Sequence, residues 1–199
     1  MSKRVSCERC HYPLKTCVCE ALEPCKNMRK VILLQSKAES KSAKNTGRLL
    51  LLGLQNTCII QSDNEQAMAS LKNHCMAAPS RYALFFPSAT STPFELQVSR
   101  IAEAKQSAEL LDCHFVFIDS TWRKAKRLLL ENEWLQQLNH YHFENDIQSK
   151  YRIRKTSVSN GISTLEAVAY AIETADSTDT SPLYDLFEKM QSYWPSSQS

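Results

Sequence analysis

Short apolar runs alternate with amphipathic stretches along most of this chain, and this alternation most constrains its fold. Buried strands are predicted at 30–35, 57–61, 81–86 and 114–118, with weaker candidates at 140–144 and 151–155. Helices are predicted at 49–54, 64–73, 95–110, 121–131, 163–174 and 182–193. Continuously apolar strands that alternate with helices are typical of a largely parallel sheet covered on both faces. The pattern therefore predicts an α/β fold.

The composition excludes several classes of protein. The 199 residues include only 3 glycines, and neither the GxGxxG nor the Walker A spacing occurs, which excludes the two common glycine-rich nucleotide loops. No run of 18 apolar residues exists, and the N-terminus lacks the apolar stretch of a secretory signal. We therefore expect a soluble, cytoplasmic protein without a membrane partner.

Positive charge is concentrated near the N-terminus. Residues 1–48 hold 11 Lys and Arg against 4 Asp and Glu, whereas residues 49–199 hold 13 against 17. A basic quarter on an otherwise acidic chain indicates contact with a polyanion, most commonly nucleic acid. A solvated lysine-rich face is the alternative reading.

Cysteines cluster in the first 25 residues, where four of them follow the spacing Cys7-x2-Cys10-x6-Cys17-x-Cys19. Four thiolates within 13 residues can close around one tetrahedral ion, and zinc is the default metal for such a set. An iron–sulfur cluster, a redox pair and four free thiols are the alternatives. We expect residues 1–28 to form a zinc module and residues 29–199 a second domain.

Ligands of parallel α/β sheets bind at the carboxyl ends of the strands, which directs attention to the segments after Gln35, Pro87 and Ile118. The third segment reads Asp119-Ser120-Thr121-Trp122, a strand-to-helix turn that begins with a carboxylate. α/β enzymes often place a functional group at such a turn. The alternative is a plain helix cap, in which these side chains satisfy free N–H groups.

Two further basic clusters follow this turn. One face of the helix predicted after Thr121 carries Arg123, Lys124, Lys126 and Arg127, and a later segment carries Lys150, Arg152, Arg154 and Lys155. Either cluster could bind nucleic-acid phosphates or form an exposed, solvated surface. Upstream, Gly47 in Lys44-Asn45-Thr46-Gly47-Arg48 permits a close backbone approach at a helix N-terminus that favours an anion.

Four blocks of the sequence together resemble the DTW domain family. The blocks, in the family's order, are the cysteine knuckle with Pro13, the stretch from Glu39 to Leu49, Asp119-x-Thr121-Trp122 with Ala125, and Ser163-Thr164-Leu165-Glu166-Ala167. One departure matters, because the family usually carries His-Pro just ahead of the glutamate. Here Ser36-Lys37 stands at those positions, so the family's His is absent and Gln35 is the side chain that could lie nearby instead.

The resemblance implies a tRNA-uridine aminocarboxypropyltransferase. Such an enzyme transfers the 3-amino-3-carboxypropyl group of S-adenosylmethionine (SAM) to N3 of a tRNA uridine (acp3U) and releases methylthioadenosine. The implied fold is SPOUT-like, with a mostly parallel sheet, helices on both faces and a C-terminal trefoil knot, plus the small N-terminal zinc-binding module. The alternatives are a SAM-dependent RNA methyltransferase, a ribosomal-RNA aminocarboxypropyltransferase and a non-enzymatic zinc-knuckle RNA-binding protein. No obligate protein partner is expected.

The resemblance also implies roles for individual residues. The catalytic set is Asp119, Thr121 and Trp122, with Asp119 either handling the N3 proton or holding the cofactor's amino group. Trp122 either stacks on a base or the adenine, or anchors its helix. SAM is expected at Pro87, Ser88, Ser120, Ser163, Thr164, Leu165 and Glu166, and structural zinc at Cys7, Cys10, Cys17 and Cys19. Contacts with tRNA are expected at Lys44, Asn45, Thr46, Arg48, Arg123, Lys124, Lys126, Arg127, Arg152 and Arg154.

Overall fold

In the computed structural model, which describes residues 5–42, 44–103, 113–153 and 161–195, six strands form one parallel sheet. The strands are β1 (Val31–Gln35), β2 (Thr57–Gln61), β3 (Tyr82–Phe85), β4 (Thr92–Pro93), β5 (His114–Asp119) and β6 (Asn139–His142). Their order across the sheet is β2-β1-β5-β3-β6-β4. All six carboxyl ends therefore lie along one edge, the carboxyl edge of the sheet.

The described residues form seven α-helices. These are α1 (Lys37–Ser40), α2 (Thr46–Gly53), α3 (Glu65–Ala77), α4 (Phe94–Glu103), α5 (Trp122–Glu131), α6 (Thr164–Asp176) and α7 (Ser181–Ser192). Side chains of Asn45, Asn64 and Ser163 cap α2, α3 and α6 by accepting a backbone N–H three residues on. Within the described part of the chain, every helix is too short or too polar to traverse a lipid bilayer.

Helices cover both faces of the sheet. On the first, which we call the α6 face, α2, α4, α6 and α7 bury a core that includes Leu50, Phe115 and Leu165. On the opposite α5 face, α3, α5 and the 3-10 helix Glu133–Gln137 bury Leu34 and Val116 among others. Because both faces are covered, β1 is buried along its whole length, which is why it appears in the sequence as an unbroken apolar run.

The N-terminal knuckle packs directly onto this body. Cys10, Tyr12 and Val18 are buried in the same core as α2 and α7. The hydroxyl of Tyr193 donates to the carbonyl of Cys17 at 2.6 Å. The cysteine-rich segment and the sheet domain therefore share one hydrophobic core, and the boundary at residue 28 stays a prediction.

The parallel α/β sheet with helices on both faces is confirmed, whereas some local predictions are wrong. Tyr151–Ile153 forms a turn rather than the start of a strand, with the Arg152 N–H donating to Gln191 at 2.6 Å. The short elements α1 and β4 were not predicted. The C-terminal knot stays a prediction, since residues 154–160, which include Arg154, lie outside the described residues.

Candidate active site

Asp119 is the centre of a polar cluster at the carboxyl edge. It ends β5, and the parallel register sets it beside Gln35, the last residue of β1. The buried amide of Gln35 donates to Asp119 Oδ2 and also to Asn45 Oδ1, the latter at 3.2 Å. Thr164 Oγ1, at the start of α6, donates to Asp119 Oδ1 at 2.7 Å. Both carboxylate oxygens accept hydrogen bonds, so the group has a fixed orientation on the α6 face.

Gly47 closes this cluster from the side of α2. A β-carbon at position 47 would lie 2.5 Å from Asp119 Oδ2 and 2.8 Å from Gln35 Nε2. Asn45 holds the adjoining turn, since its side chain caps α2 and donates to the carbonyl of Glu39 at 2.7 Å. The absence of a side chain at Gly47 therefore allows α2 to approach the carboxylate.

The first turn of α6 brings the C-terminal block to the same place. Ser163 and Glu166 form a reciprocal capping box, and Glu166 also accepts from Ser149 and from the backbone N–H of Lys150. Ser163, Leu165 and Glu166 are buried, whereas Thr164 is partly exposed and its hydroxyl reaches Asp119 at the carboxyl edge. Glu166 thus ties the segment after β6 to α6, beside the expected cofactor site.

The turn after β5 does not use its side chains as a helix cap. Thr121 occupies the N-cap position of α5 without a side-chain cap, and the carboxylate of Asp119 contacts Gln35 and Thr164 instead. These contacts favour a functional group at this turn over a plain helix cap. Trp122 is 48% exposed, and its ring lies 4.9 Å from the ring of Phe86, centroid to centroid. This indole is a partly open platform on the α5 face.

Pro87 and Ser88 follow β3, one strand away from Asp119. Ser88 begins a turn that Ser91 closes, and the Ser88 hydroxyl lies 3.3 Å from His140 Nδ1. Ser91 Oγ lies 2.9 Å from His142 Nδ1. Sequence reasoning missed His142 and Ser91. The signal that could have found His142 is its position at the carboxyl end of a short strand candidate.

The α5 helix presents its basic residues to solvent. Lys124 pairs with Glu39 at 3.0 Å, and Arg127 pairs with Glu131 at 2.6 Å, whereas Arg123 and Lys126 are exposed on the same helix. A cleft of about 100 Å³ beside them has an apolar floor, and Ser36, Ser62 and Ser120 line it. Lys124, Arg127 and Glu131 also line it, so the charge inside the cleft is mixed. The exposed Arg123 and Lys126 are therefore the residues of this helix best placed to contact a polyanion.

The other predicted RNA contacts are placed differently. Lys44 Nζ donates to the carbonyl of Ile153 at 2.6 Å, and Arg48 lies over the ring of Tyr12 and donates to the carbonyl of Ser40. Asn45 and Thr46 are buried, and Arg152 pairs with Glu188. The structure thus distinguishes the exposed basic helix α5 from the segment Lys44–Arg48, whose side chains face inward. Arg154 lies outside the described residues.

The four N-terminal cysteines form a compact sulfur cluster. Their sulfurs all lie within 4.8 Å of one another, with Cys7–Cys19 and Cys10–Cys17 each at 3.7 Å. A tetrahedral zinc site with bonds of about 2.3 Å needs sulfurs ~3.8 Å apart. Backbone N–H groups of Cys10 and Arg9 lower the pKa of Cys7 to about 6, whereas burial raises the pKa of Cys19 to about 12. A bound metal would displace the remaining thiol protons. The residues present therefore fit a structural zinc ion.

The chain was compared with known protein families and with solved structures. The chain matches the DTW domain family over residues 4–195, which is nearly its whole length. No solved structure matches the chain.

Three proteins that share one name are similar to this chain at modest sequence identity. A Drosophila melanogaster protein named tRNA-uridine aminocarboxypropyltransferase 2 is 28% identical over 184 residues, covering 88% of this chain and 68% of the relative. Proteins of the same name from Macaca fascicularis and Mus musculus are 24% and 25% identical over 176 residues. The chain spans only 56% of the length of these two relatives.

Proposed function

Because the chain belongs to the DTW domain family, we propose that it is a tRNA-uridine aminocarboxypropyltransferase that uses SAM. The names of its relatives support this class of enzyme. The observation that carries the proposal is the fixed carboxylate of Asp119, held by Gln35 and Thr164 and approached by Gly47. It brings three of the family's sequence blocks to one point at the carboxyl edge, where α/β enzymes bind ligands.

The proposed reaction forms one bond and breaks one bond. SAM supplies an electrophilic carbon attached to a sulfonium sulfur. The uridine loses its N3 proton, and N3 attacks that carbon while the electrons of the carbon–sulfur bond return to sulfur. Methylthioadenosine leaves, and the uridine keeps the aminocarboxypropyl group. The protein must therefore bind a cation, orient a nucleobase and accept a proton.

We assign Asp119 to the positive charge of the cofactor. An oriented carboxylate suits the ammonium group of SAM, and Thr164, Ser88 and Ser120 add hydroxyls along the same edge. The buried hydroxyl of Ser163 caps α6 and so holds Thr164 in place. Pro87 shapes the neighbouring turn. Leu165 and Glu166 act indirectly. Leu165 packs α6 into the core, and Glu166 holds the segment at Ser149 and Lys150.

We assign the tRNA to the α5 face. The exposed cations of α5 can release counterions from phosphates, which supplies binding energy that does not depend on sequence. Trp122 offers an aromatic surface for a base, and Thr121 sets the start of the helix that carries it. Lys44, Asn45, Thr46 and Arg48 contribute by shaping the turn beside Asp119, since their side chains face inward.

A zinc ion held by Cys7, Cys10, Cys17 and Cys19 would have a structural role. Four protein ligands complete a tetrahedral shell and leave no position for a substrate. The bound metal would hold the knuckle in shape, and Tyr12 in that knuckle packs against Arg48 and donates to the carbonyl of Asn45. The metal would therefore support the turn that carries Gly47.

The experiment that tests the function is a product analysis. Purified protein is incubated with unmodified tRNA and SAM, and the digested nucleosides are weighed; Asp119→Asn serves as the matched inactive variant. A uridine heavier by an aminocarboxypropyl group, with release of methylthioadenosine, is the expected result. A methylated uridine would change the chemistry to methyl transfer. Modification of ribosomal RNA alone would change the substrate, and RNA binding without SAM binding would leave a non-enzymatic protein.

A further inference from the structure

Histidine is the commonest proton acceptor at neutral pH, and the five histidines of this chain occupy very different positions. His11 is exposed in the knuckle, His74 bonds its own helix at the carbonyl of Ser70, and His114 begins β5 at the opposite end of that strand. Only His140 and His142 lie on β6, near the carboxyl edge.

The hydrogen bonds of His140 occupy both of its ring nitrogens. Its Nε2 donates to the carbonyl of Leu135 at 2.9 Å, which leaves Nδ1 to accept from the hydroxyl of Ser88 at 3.3 Å. The ring is buried and bonds to the 3-10 helix Glu133–Gln137. His140 therefore has a structural role.

The hydrogen bonds of His142 leave one nitrogen available. Ser91 Oγ donates its only proton to the carbonyl of Ser88 at 2.8 Å, so it must accept from its other neighbours. One of these is the ring of His142 at 2.9 Å, which means that Nδ1 carries the proton. The neutral ring then presents a lone pair at Nε2, for which the described residues provide no partner.

One residue, Phe86, connects the position of His142 with that of Trp122. The N–H of Phe86 donates to the carbonyl of Tyr141, which continues the β3–β6 register and makes Phe86 and His142 neighbours. Neighbours in register point to the same face of a sheet, here the α5 face. The ring of Phe86 backs the half-exposed ring of Trp122. Phe86 thus neighbours both Trp122 and His142, and the two side chains belong to the same face at the carboxyl edge.

Asp119 is poorly placed for the same task. Its side chain lies on the α6 face, and both of its oxygens already accept hydrogen bonds from Gln35 and Thr164. Its orientation suits a cation rather than a proton on a base that lies on the α5 face. Asp119 and His142 lie at the same edge on opposite faces, so one can contact the cofactor and the other the base.

We propose that His142 is the proton acceptor for the target uridine, whose base stacks on Trp122, with Ser91 fixing the tautomer of the imidazole. This proposal rests on the proposed function. His142 Nε2 takes the N3 proton as the N3 electron pair forms the new bond to the sulfonium-bound carbon of SAM. The electrons of the broken carbon–sulfur bond remain on the departing methylthioadenosine, and His142 later releases its proton to water.

The test compares His142→Gln with His74→Gln in single-turnover transfer on tRNA. Loss of a general base costs about 10²–10⁴-fold in rate, so we expect at least a 100-fold slower reaction for His142→Gln and no change for His74→Gln. Affinities for SAM and tRNA and the thermal midpoint are measured alongside and should match those of the unaltered protein. Transfer at the unaltered rate by His142→Gln would overturn the proposal.

A rescue experiment separates chemistry from structure. In His142→Ala, added imidazole should restore at least a tenth of the rate, because a diffusible base can occupy the vacated position. Slow transfer without rescue, together with weaker tRNA binding, would make His142 a structural residue and overturn the proposal. If the unaltered protein itself forms no modified uridine, the proposed function fails, and that result is distinct from a normal rate in the variant.

Discussion

Gly47 and Asp119 are in contact: a β-carbon on Gly47 would lie only 2.5 Å from Asp119 Oδ2. The contact joins the start of α2 to the end of β5, and Gln35 and Asn45 complete its surroundings. Because Gly47 has an ordinary negative φ, a glycine is needed here for lack of space and not for a special backbone angle. The relationship explains why the segment Lys44–Arg48 belongs to the same site as the turn after β5.

The first prediction follows from this contact. Gly47→Ala should displace Asp119 or α2 and reduce transfer at least 100-fold, with a loss of stability of about 1–3 kcal/mol from overpacking. The matched control is Gly53→Ala in the same helix, where the added carbon would lie 2.7 Å from the terminal Cδ2 of Leu183 and 3.4 Å from that of Leu186, with no polar group beside it. The control should keep most of its activity. Equal rates for both variants, measured in the nucleoside assay, would show that the close approach does not matter.

The second prediction concerns the charge of Asp119. Asp119→Asn keeps the shape but removes the negative charge, so SAM affinity should fall at least tenfold while the fold survives. Thr164→Val removes one hydrogen bond and keeps the charge, and it should weaken binding less, by about 1 kcal/mol. Calorimetric titration with SAM measures both. A larger effect from Thr164→Val than from Asp119→Asn would contradict the assignment of Asp119 to the cofactor's positive charge.

Part of this site could be predicted from the sequence, because local patterns define it. Apolar runs define the parallel strands, and the rule on carboxyl ends then points to Asp119 and Ser88. Whether a side chain faces solvent or the interior could not be predicted in the same way. Lys44 faces inward because a carbonyl 109 residues away accepts from it, and only the folded chain shows such a partner.

The same limit explains the residue that sequence reasoning missed. His140 and His142 alternate on one short strand, and nothing local distinguishes them. Their different roles come from Leu135 and Ser91, which other elements supply. Glu166, for its part, appears in a sequence block of the family, but its carboxylate is used inside the fold.

The third prediction concerns metal binding. The purified protein should contain one zinc ion per chain, and Cys10→Ser should lose it and lower the free energy of unfolding by on the order of 3 kcal/mol. Cys58→Ser is the control, since Cys58 lies in β2, outside the four-sulfur cluster. Metal analysis and thermal unfolding measure both properties. A Cys10→Ser protein that retains a full equivalent of zinc would remove Cys10 from the ligand set.

The fourth prediction concerns the buried thiols. Burial raises the pKa of Cys75 to about 12 and that of Cys113 to about 11, from an ordinary value near 9.0. Above pH 9 the unfolded chain loses these protons while the folded protein keeps them. The free energy of unfolding should therefore be steady below pH 9 and fall towards pH 11 by ~1.4 kcal/mol per pH unit for each thiol. Urea unfolding at several pH values measures this slope.

Cys113→Ala provides the control for the alkaline slope. Removing this thiol should lower the slope between pH 9 and pH 11 by about one thiol's share, whatever its effect on stability at neutral pH. An unchanged slope would show that Cys113 titrates alike in the folded and unfolded states.

The fifth prediction concerns the tRNA surface of α5. Arg123→Gln with Lys126→Gln should weaken tRNA binding without altering SAM binding, and should reduce the slope of log Kd against log salt by about one for each lost phosphate contact. Lys72→Gln on the exposed side of α3 is the control, because it removes the same kind of charge from a different helix. Filter binding over a range of salt concentrations gives both slopes. If the Lys72 variant changed the slope as much as the double variant, tRNA binding would not depend specifically on α5, and the assignment of the phosphate contacts to Arg123 and Lys126 would fail.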